Sequence, residues 1–311
     1  MLMKWVLNKN SETKVINSLA RELNISSVLS AMLVKRGVTT FDQAKDFFRP
    51  KFEDLHDPFL MKDMDVASKR ISQAITNKES LMVFGDYDVD GTSSVAMVSL
   101  YLEPKGIKTV NYLPDRNNEG YGISTKAIDI AFEKNIKLII ALDCGIKAHK
   151  QISYAREKNI DFIICDHHNP SDIIPHAYAV LNPKRTDCSY PFKELCGCGV
   201  GFKLIQAIEK ITSNKKEIIN YLDLVALAIA ADVVPLIGEN RTLAYLGLQI
   251  INSNPKLGIH SLLKTNPKKE YVLSDLMFCT TCIVFNFLFN LGPVIFKPVE
   301  AILFVCSFHL S

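Results

Sequence analysis

Residues 81–94 read LMVFGDYDVDGTSS, four apolar residues that run into three aspartates within five positions, Asp86, Asp88 and Asp90. The apolar run is too short for a buried helix and has the length of a strand covered on both faces. Beyond it, Val95, Val98 and Leu102 fall at i, i+3 and i+7 and mark one stripe of a helix. Strand, acidic turn and helix together form the opening of a parallel α/β unit.

The same alternation continues outward. Apolar runs at 108–113 (KTVNYL), 137–143 (KLIIALD), 161–166 (DFIICD) and 177–182 (AYAVLN) are separated by amphipathic stretches at 124–134 and 147–158. This pattern predicts an α/β fold, a parallel sheet with helices on both faces, for a catalytic domain over 76–240. Residues 1–75 are predicted to be a small helical region, broken by Pro50 and Pro58. Residues 194–211, 217–231 and 240–252 return to helical spacing, and 241–275 are expected to be a connecting helix and linker.

The composition is that of a soluble globular protein, 48% apolar and 22% charged, with a net charge of +3 that argues neither for nor against nucleic acid. The first residues, MLMKWVLNKN, contain no apolar signal core, so the eight cysteines are expected to be reduced thiols in the cytoplasm. Cys196 and Cys198 lie in CGCGVG with no second ligand pair at zinc spacing nearby, and are not read as a metal site.

In an open α/β sheet, ligands sit beyond the carboxyl ends of the strands. There the chain places Asp86, Asp88 and Asp90, then Asp143, then Asp166, His167 and His168; Asp232 follows the helix 221–231. So many acids at one edge repel one another unless cations are bound. Oxygen donors with imidazole favour Mn²⁺ or Mg²⁺, and the number of carboxylates favours two ions. Two ions about 3.5–4 Å apart clamp a phosphoryl group and activate water. Asp90, beside Gly91, reads instead as a turn or cap residue. Tyr112 and Tyr121 are candidates for stacking on a base, set against the commoner packing role.

GDYDVDGTSS, LDCGI, CDHHNP and AADVVPL resemble, in order and spacing, the four motifs of the DHH phosphoesterase superfamily. RGVTTFDQAKDFFRP, LHDPFLMKDMDVASKRISQAI, EGYGIS, LNPKR and CGCGVGFKL are similar to the RecJ single-strand-specific exonucleases of bacteria, from about residue 15 to about 275. The resemblance implies metal ligation by Asp86, Asp88, Asp143, His167 and Asp232, with Asp143 bridging. It implies a catalytic part for Asp143 and for His168, the latter facing the scissile phosphate. The implied activity is 5′ to 3′ hydrolysis of single-stranded DNA to mononucleotides in repair and recombination, with a single-strand-binding protein or helicase as partner. The alternatives are a DHH phosphoesterase acting on short oligonucleotides or cyclic dinucleotides, and a non-catalytic nucleic-acid-binding remnant.

Arg116, Lys184 and Arg185 lie in loops at the same edge and are candidate phosphate contacts, with Gly199 permitting close backbone approach. The likeness fades after YVLSDL (271–276). Residues 276–311 contain seven Phe, three Cys and only two charges, Lys297 and Glu300. They carry none of the motifs of the second lobe that follows in this family, so the catalytic region is expected to be truncated there. The uncharged run 276–296 approaches the ~20 residues of a membrane span. Asn286, Asn290 and Pro293 oppose that reading, and no membrane association is expected.

Overall fold

The structure, a computed structural model, describes residues 12–115, 118–212, 218–264 and 266–277. It divides into two compact units, residues 1–51 and 52–311. In the first unit, α1 (Thr13–Leu23), α2 (Ser27–Val34) and α3 (Phe41–Phe48) pack Leu19, Leu33, Val38 and Ala44 together. The starts of two of these helices are written in the sequence. The Ser26 hydroxyl accepts from the Leu29 N–H, and Thr40 forms a capping box with Gln43.

The second unit is built on five parallel strands in the order β2-β1-β3-β4-β5. They are β1 (Leu81–Gly85), β2 (Thr109–Tyr112), β3 (Leu138–Leu142), β4 (Asp161–Cys165) and β5 (Ala179–Leu181). The predicted fold class is the one observed. Alternate residues of each central strand enter opposite cores. Leu81, Val83, Leu138, Ile140 and Leu142 face one, and Met82, Phe84, Ile139 and Ala141 face the other. The first core is closed by α4 (Met64–Asn77), α5 (Val89–Leu102), α8 (Gly197–Thr212), α9 (Leu222–Asp232) and α10 (Gly238–Ser253). The second is closed by α6 (Thr125–Glu133) and α7 (His149–Glu157).

Two boundaries differ from the sequence reading. The sheet-bearing unit begins at residue 52 rather than 76, because Leu55, Met61, Met64, Ala67, Ile71 and Ala74 are buried in the first core. Residues 241–275 do not form a separate connector. Leu243, Ala244 and Ile251 of α10, and Ile259 and Leu263 of α11 (Leu257–Leu263), belong to that same core. Amphipathic spacing shows that a helix has an apolar face but not which core receives it.

No helix among the described residues is long and apolar enough to cross a membrane. The tail from 278 onward lies outside the described residues. Cys196 and Cys198 are both buried; Cys196 Sγ accepts the Gly199 N–H at 3.3 Å, and Cys198 Sγ lies 3.9 Å from Met97 Sδ.

The strand order places a switch point at β1 and β3, since the chain leaves β1 for β2 on one side and returns to β3 on the other. A crevice opens beyond the carboxyl ends of such a strand pair. Asp86 and Asp143 sit at those two ends.

Candidate metal centre

Each acidic side chain reaches the crevice by a local device. Asp86 follows β1 directly and is buried. The turn after it is tight: a Cβ on Gly91 would lie 2.4 Å from the Asp86 carbonyl oxygen. Asp88 is the N-cap of α5, its Oδ1 accepting the Gly91 N–H at 2.9 Å. Asp90 holds a different helix start. Its two carboxylate oxygens accept the N–H groups of Gly197 and Cys198 at 2.6 and 2.7 Å, at the N-terminus of α8. The cap role expected of Asp90 at α5 thus belongs to Asp88, and Asp90 ties α5 to α8.

Asp143 follows β3 with φ +60°. This left-handed conformation is one that Asp adopts more readily than most residues. Its N–H stays on the ladder by donating to the Cys165 carbonyl at 2.8 Å. His167 follows β4 and points its Nε2 at the acids: 3.2 Å to Asp143 Oδ1, 3.6 Å to Asp232 Oδ2 and 3.9 Å to Asp90 Oδ2. Asp232 ends α9, and the next residue, Val233, has φ +55°. A β-branched residue rarely takes this conformation, and here it adjoins the site.

His168 is oriented through Asp166. Asp166 Oδ1 accepts from the backbone N–H groups of His167 and His168 and lies 2.7 Å from His168 Nδ1, while Oδ2 accepts from the Ile146 N–H. His168 Nε2 lies 3.3 Å from the Tyr121 hydroxyl, and its carbonyl accepts from Asn182 Nδ2. Asn182 was not singled out as a site residue from the sequence, and Asp166, noted at the strand end, was given no role there. The signal was available for Asp166, an acid preceding two histidines at a strand end.

The electrostatics are those of crowded acids out of water. Burial, reinforced by the charge of Asp88, pushes Asp86 and Asp232 up to about 6. Burial and the charges of Asp232 and Asp88 push Asp90 up to about 8, and burial with Asp90 raises Asp143 well above the carboxylate range. His167 is driven down to about 4 by burial and by the charge of His168. His168 is raised, first by its hydrogen bond to Asp166, which itself stays low despite burial.

Asp86 Oδ1, Asp143 Oδ1, His167 Nε2 and Asp232 Oδ2 are all buried and without an aligned hydrogen-bond partner. Buried acceptors that converge without donors are a costly arrangement. A cation resolves it. Two overlapping donor sets are within reach of an ion, Asp143–His167–His168 and Asp90–His167–Asp232, each with ligand atoms within 4.8 Å of one another. Oxygen donors with one or two imidazoles fit Mn²⁺ or Mg²⁺.

This clustering has a consequence for stability. The folded-state pKa values of Asp86, Asp232 and Asp90 lie above the unfolded value near 4. Their contribution is therefore full below about pH 4 and is lost as pH rises through about 6 and about 8. His167 works the other way between about pH 4 and 6.5 and offsets part of it. The thermal midpoint of the metal-free protein is expected to fall between about pH 5 and pH 8, and saturating Mn²⁺ to flatten or reverse that slope. Scanning calorimetry with and without the ion checks this.

Of the other expected site residues, Arg116 lies outside the described residues. Arg185 is buried and fully engaged: it bonds Asp63 Oδ2 at 2.7 Å, the Val180 carbonyl, and both oxygens of Asp187. It builds the loop and is not available as a strand contact. Lys184 beside it is half-buried. Gly199 lies within α8, where an added Cβ would meet only Leu195 and Cys196 at 3.3 Å or more. The close approach expected there occurs at Gly197, whose added Cβ would lie 2.5 Å from both Cβ and Oδ1 of Asp143.

Residues 80–229 match the family model described as DHH family, N-terminal domain. The chain carries a DHH domain. Over 262 residues, 84% of its length, the chain is 40% identical to the single-stranded-DNA-specific exonuclease RecJ of Bacillus subtilis. It is 34% identical over 232 residues to that of Escherichia coli. These stretches are 33% and 40% of the two relatives, so the chain spans well under half of their length. Among solved structures, exonuclease RecJ bound to manganese matches with TM-score 0.69 at 27% identity, over 79% of this chain and 61% of the other. RecJ of Thermus thermophilus in complex with Mn²⁺ shares the fold with TM-score 0.76 at 23% identity, over 94% of this chain and 41% of the other.

Proposed function

We propose that this chain is a divalent-metal-dependent phosphodiesterase that hydrolyses single-stranded DNA from the 5′ end. One observation carries the reading. Buried, partnerless acceptors from four distant segments, Asp86, Asp143, His167 and Asp232, converge at the sheet's switch point. Likeness to single-strand-specific exonucleases, one of them solved with manganese, supports the substrate class and the ion.

These four residues, with the Asp88 oxygen not used as a cap, would hold the ions; His167 is common to both donor sets, and Asp143 Oδ1 lies 3.2 Å from its Nε2. Bound divalent ions supply Lewis acidity and activation of water for attack on phosphorus. The protein's own groups do the rest. Asp166 fixes the His168 ring and favours its protonated form, so His168 can neutralise charge on the phosphoryl oxygens or give a proton to the departing 3′ oxygen. His168 is 44% exposed and open to a strand lying in the crevice.

Tyr112 and Tyr121 separate in role. Tyr112 stacks on Phe84 with ring centroids 5.6 Å apart and donates to Glu119. Tyr121 is 59% exposed, its ring edge-on to His168 and to Tyr87. Base–aromatic stacking contributes about 1–3 kcal/mol. Tyr121→Ala is therefore expected to raise KM for a single strand about tenfold, and Tyr121→Phe to leave it within about twofold, as measured by steady-state kinetics.

The function itself is tested with oligonucleotides labelled at either end, single-stranded or duplex, incubated with Mn²⁺, Mg²⁺ or chelator. Release of labelled mononucleotide first from the 5′ end of single strands, abolished by chelator, is expected. Hydrolysis confined to dinucleotides would replace this reading with that of a short-oligonucleotide phosphoesterase.

A further inference from the structure

An open cleft of about 630 Å³ lies beside the metal centre, between the loop after β4 and the long loop from β5 to α8. Lys184, Lys193, Thr186 and Asn169 line it, with one carboxylate, Glu194. Asn169 directly follows His168, so the cleft begins where the acidic crevice ends.

The cleft is built rather than incidental. Buried Asn182 joins its two walls, donating through Nδ2 to the His168 carbonyl and accepting the Lys184 N–H at Oδ1, 2.8 Å. Arg185, clamped by Asp63 and Asp187, anchors the next residue of the same wall. Lys184 is thus held by its backbone on both sides, while its ammonium makes no ion pair or hydrogen bond among the described residues. Its charge is felt at His167 and Asp232. Lys193 uses one ammonium proton on the Cys188 carbonyl at 2.7 Å, leaving two donors. Two cations, a hydroxyl and an amide against one carboxylate give a net positive, donor-rich wall next to a centre that is strongly acidic. That is an arrangement for anions.

We propose that this cleft is a second phosphate subsite, in which Lys184 and Lys193 hold backbone phosphates of the DNA strand flanking the one at the metal centre. The proposal rests on the phosphodiesterase reading for the identity of the strand. Phosphate contacts of this kind set register without reading sequence. The acidic crevice repels a polyanion before ions load, so a basic wall on its border gives the strand a foothold that does not depend on the ions.

The test is binding of a fluorescent 15-nucleotide oligothymidylate to the full chain in chelator, where nothing is hydrolysed, across a series of salt concentrations. Each phosphate neutralised on a single strand contributes about 0.7 to the slope of log affinity against log salt. Lys184→Ala with Lys193→Ala is expected to reduce the slope by about 1.4 and to weaken binding about tenfold at about 0.1 M salt. Lys184→Arg with Lys193→Arg is expected to keep the slope, which separates lost charge from a damaged loop. An unchanged slope in the alanine pair, or an equal loss in the arginine pair, overturns the subsite. If the slope responds as expected but the parent chain cuts no strand with Mn²⁺ or Mg²⁺, the subsite stands and the phosphodiesterase reading falls.

Discussion

Asp143→Asn is expected to lower divalent-metal-dependent hydrolysis of single-stranded DNA by about a thousandfold or more, while the metal-free variant melts at or above the parent's temperature. Asn is the substitution of choice because residue 143 has φ +60°, where Asn is tolerated and Ala is strained. It keeps the shape of the side chain and removes the charge. Asp143 is 1% exposed and hemmed in by the charges of Asp90, Asp88, Asp166 and Asp232. Neutralising it relieves repulsion in the empty centre and removes attraction from the loaded one. The two effects have opposite signs, which makes the pair of measurements decisive. Calorimetry of the metal-free protein and single-turnover hydrolysis with Mn²⁺ report them separately. Retained hydrolysis would refute the placement of the ions at this carboxylate.

Gly197→Ala is the second large effect, expected to cost about a hundredfold in both Mn²⁺ affinity and hydrolysis. The added methyl would stand 2.5 Å from Asp143 Cβ and Oδ1 and 2.7 Å from Cγ, closer than real contacts allow. Three neighbouring constraints keep Gly197 from moving aside. Its N–H is held by Asp90, it begins a helix of sixteen residues, and that helix packs in the first core. Asp143 must therefore give way, and its carboxylate leaves His167. Gly199→Ala, two residues on, meets mainly the flexible end of Leu195 at 3.3 Å and is expected to stay within about threefold of the parent. Isothermal titration with Mn²⁺ and the hydrolysis assay distinguish the two glycines. Comparable losses at both would show that α8, rather than Asp143, is what the methyl disturbs.

The strands were legible because a parallel sheet buried on both faces needs near-continuous apolar runs, and LMVFG, LIIAL and DFIIC are such runs. The acids and the imidazole at their ends were legible because strand ends and ligand chemistry coincide at Asp86, Asp143 and His167. What stayed hidden depends on contacts between distant segments. Asp90 could not be assigned to α8 from its neighbours, since the N–H groups it accepts lie 107 and 108 residues later. Arg185 reads as a loop cation until Asp63, 122 residues earlier, folds against it. Gly197 and Gly199 are indistinguishable within CGCGVG, and only the approach of Asp143 separates them. The placement of α4 in the main core had a partial signal, the stripe Met64, Ala67, Ile71 and Ala74, which demands a partner without naming it.

Because the proposed centre would draw on the ends of β1, β3, β4 and α9, no stretch of the chain shorter than residues 86–232 contains it. During synthesis the nascent polypeptide has no complete grip on an ion until α9 has cleared the ribosomal exit tunnel. Capture of ions at this proposed centre would thus come late, once the strands and α9 have come together, while α10 and α11 still have to close the same core.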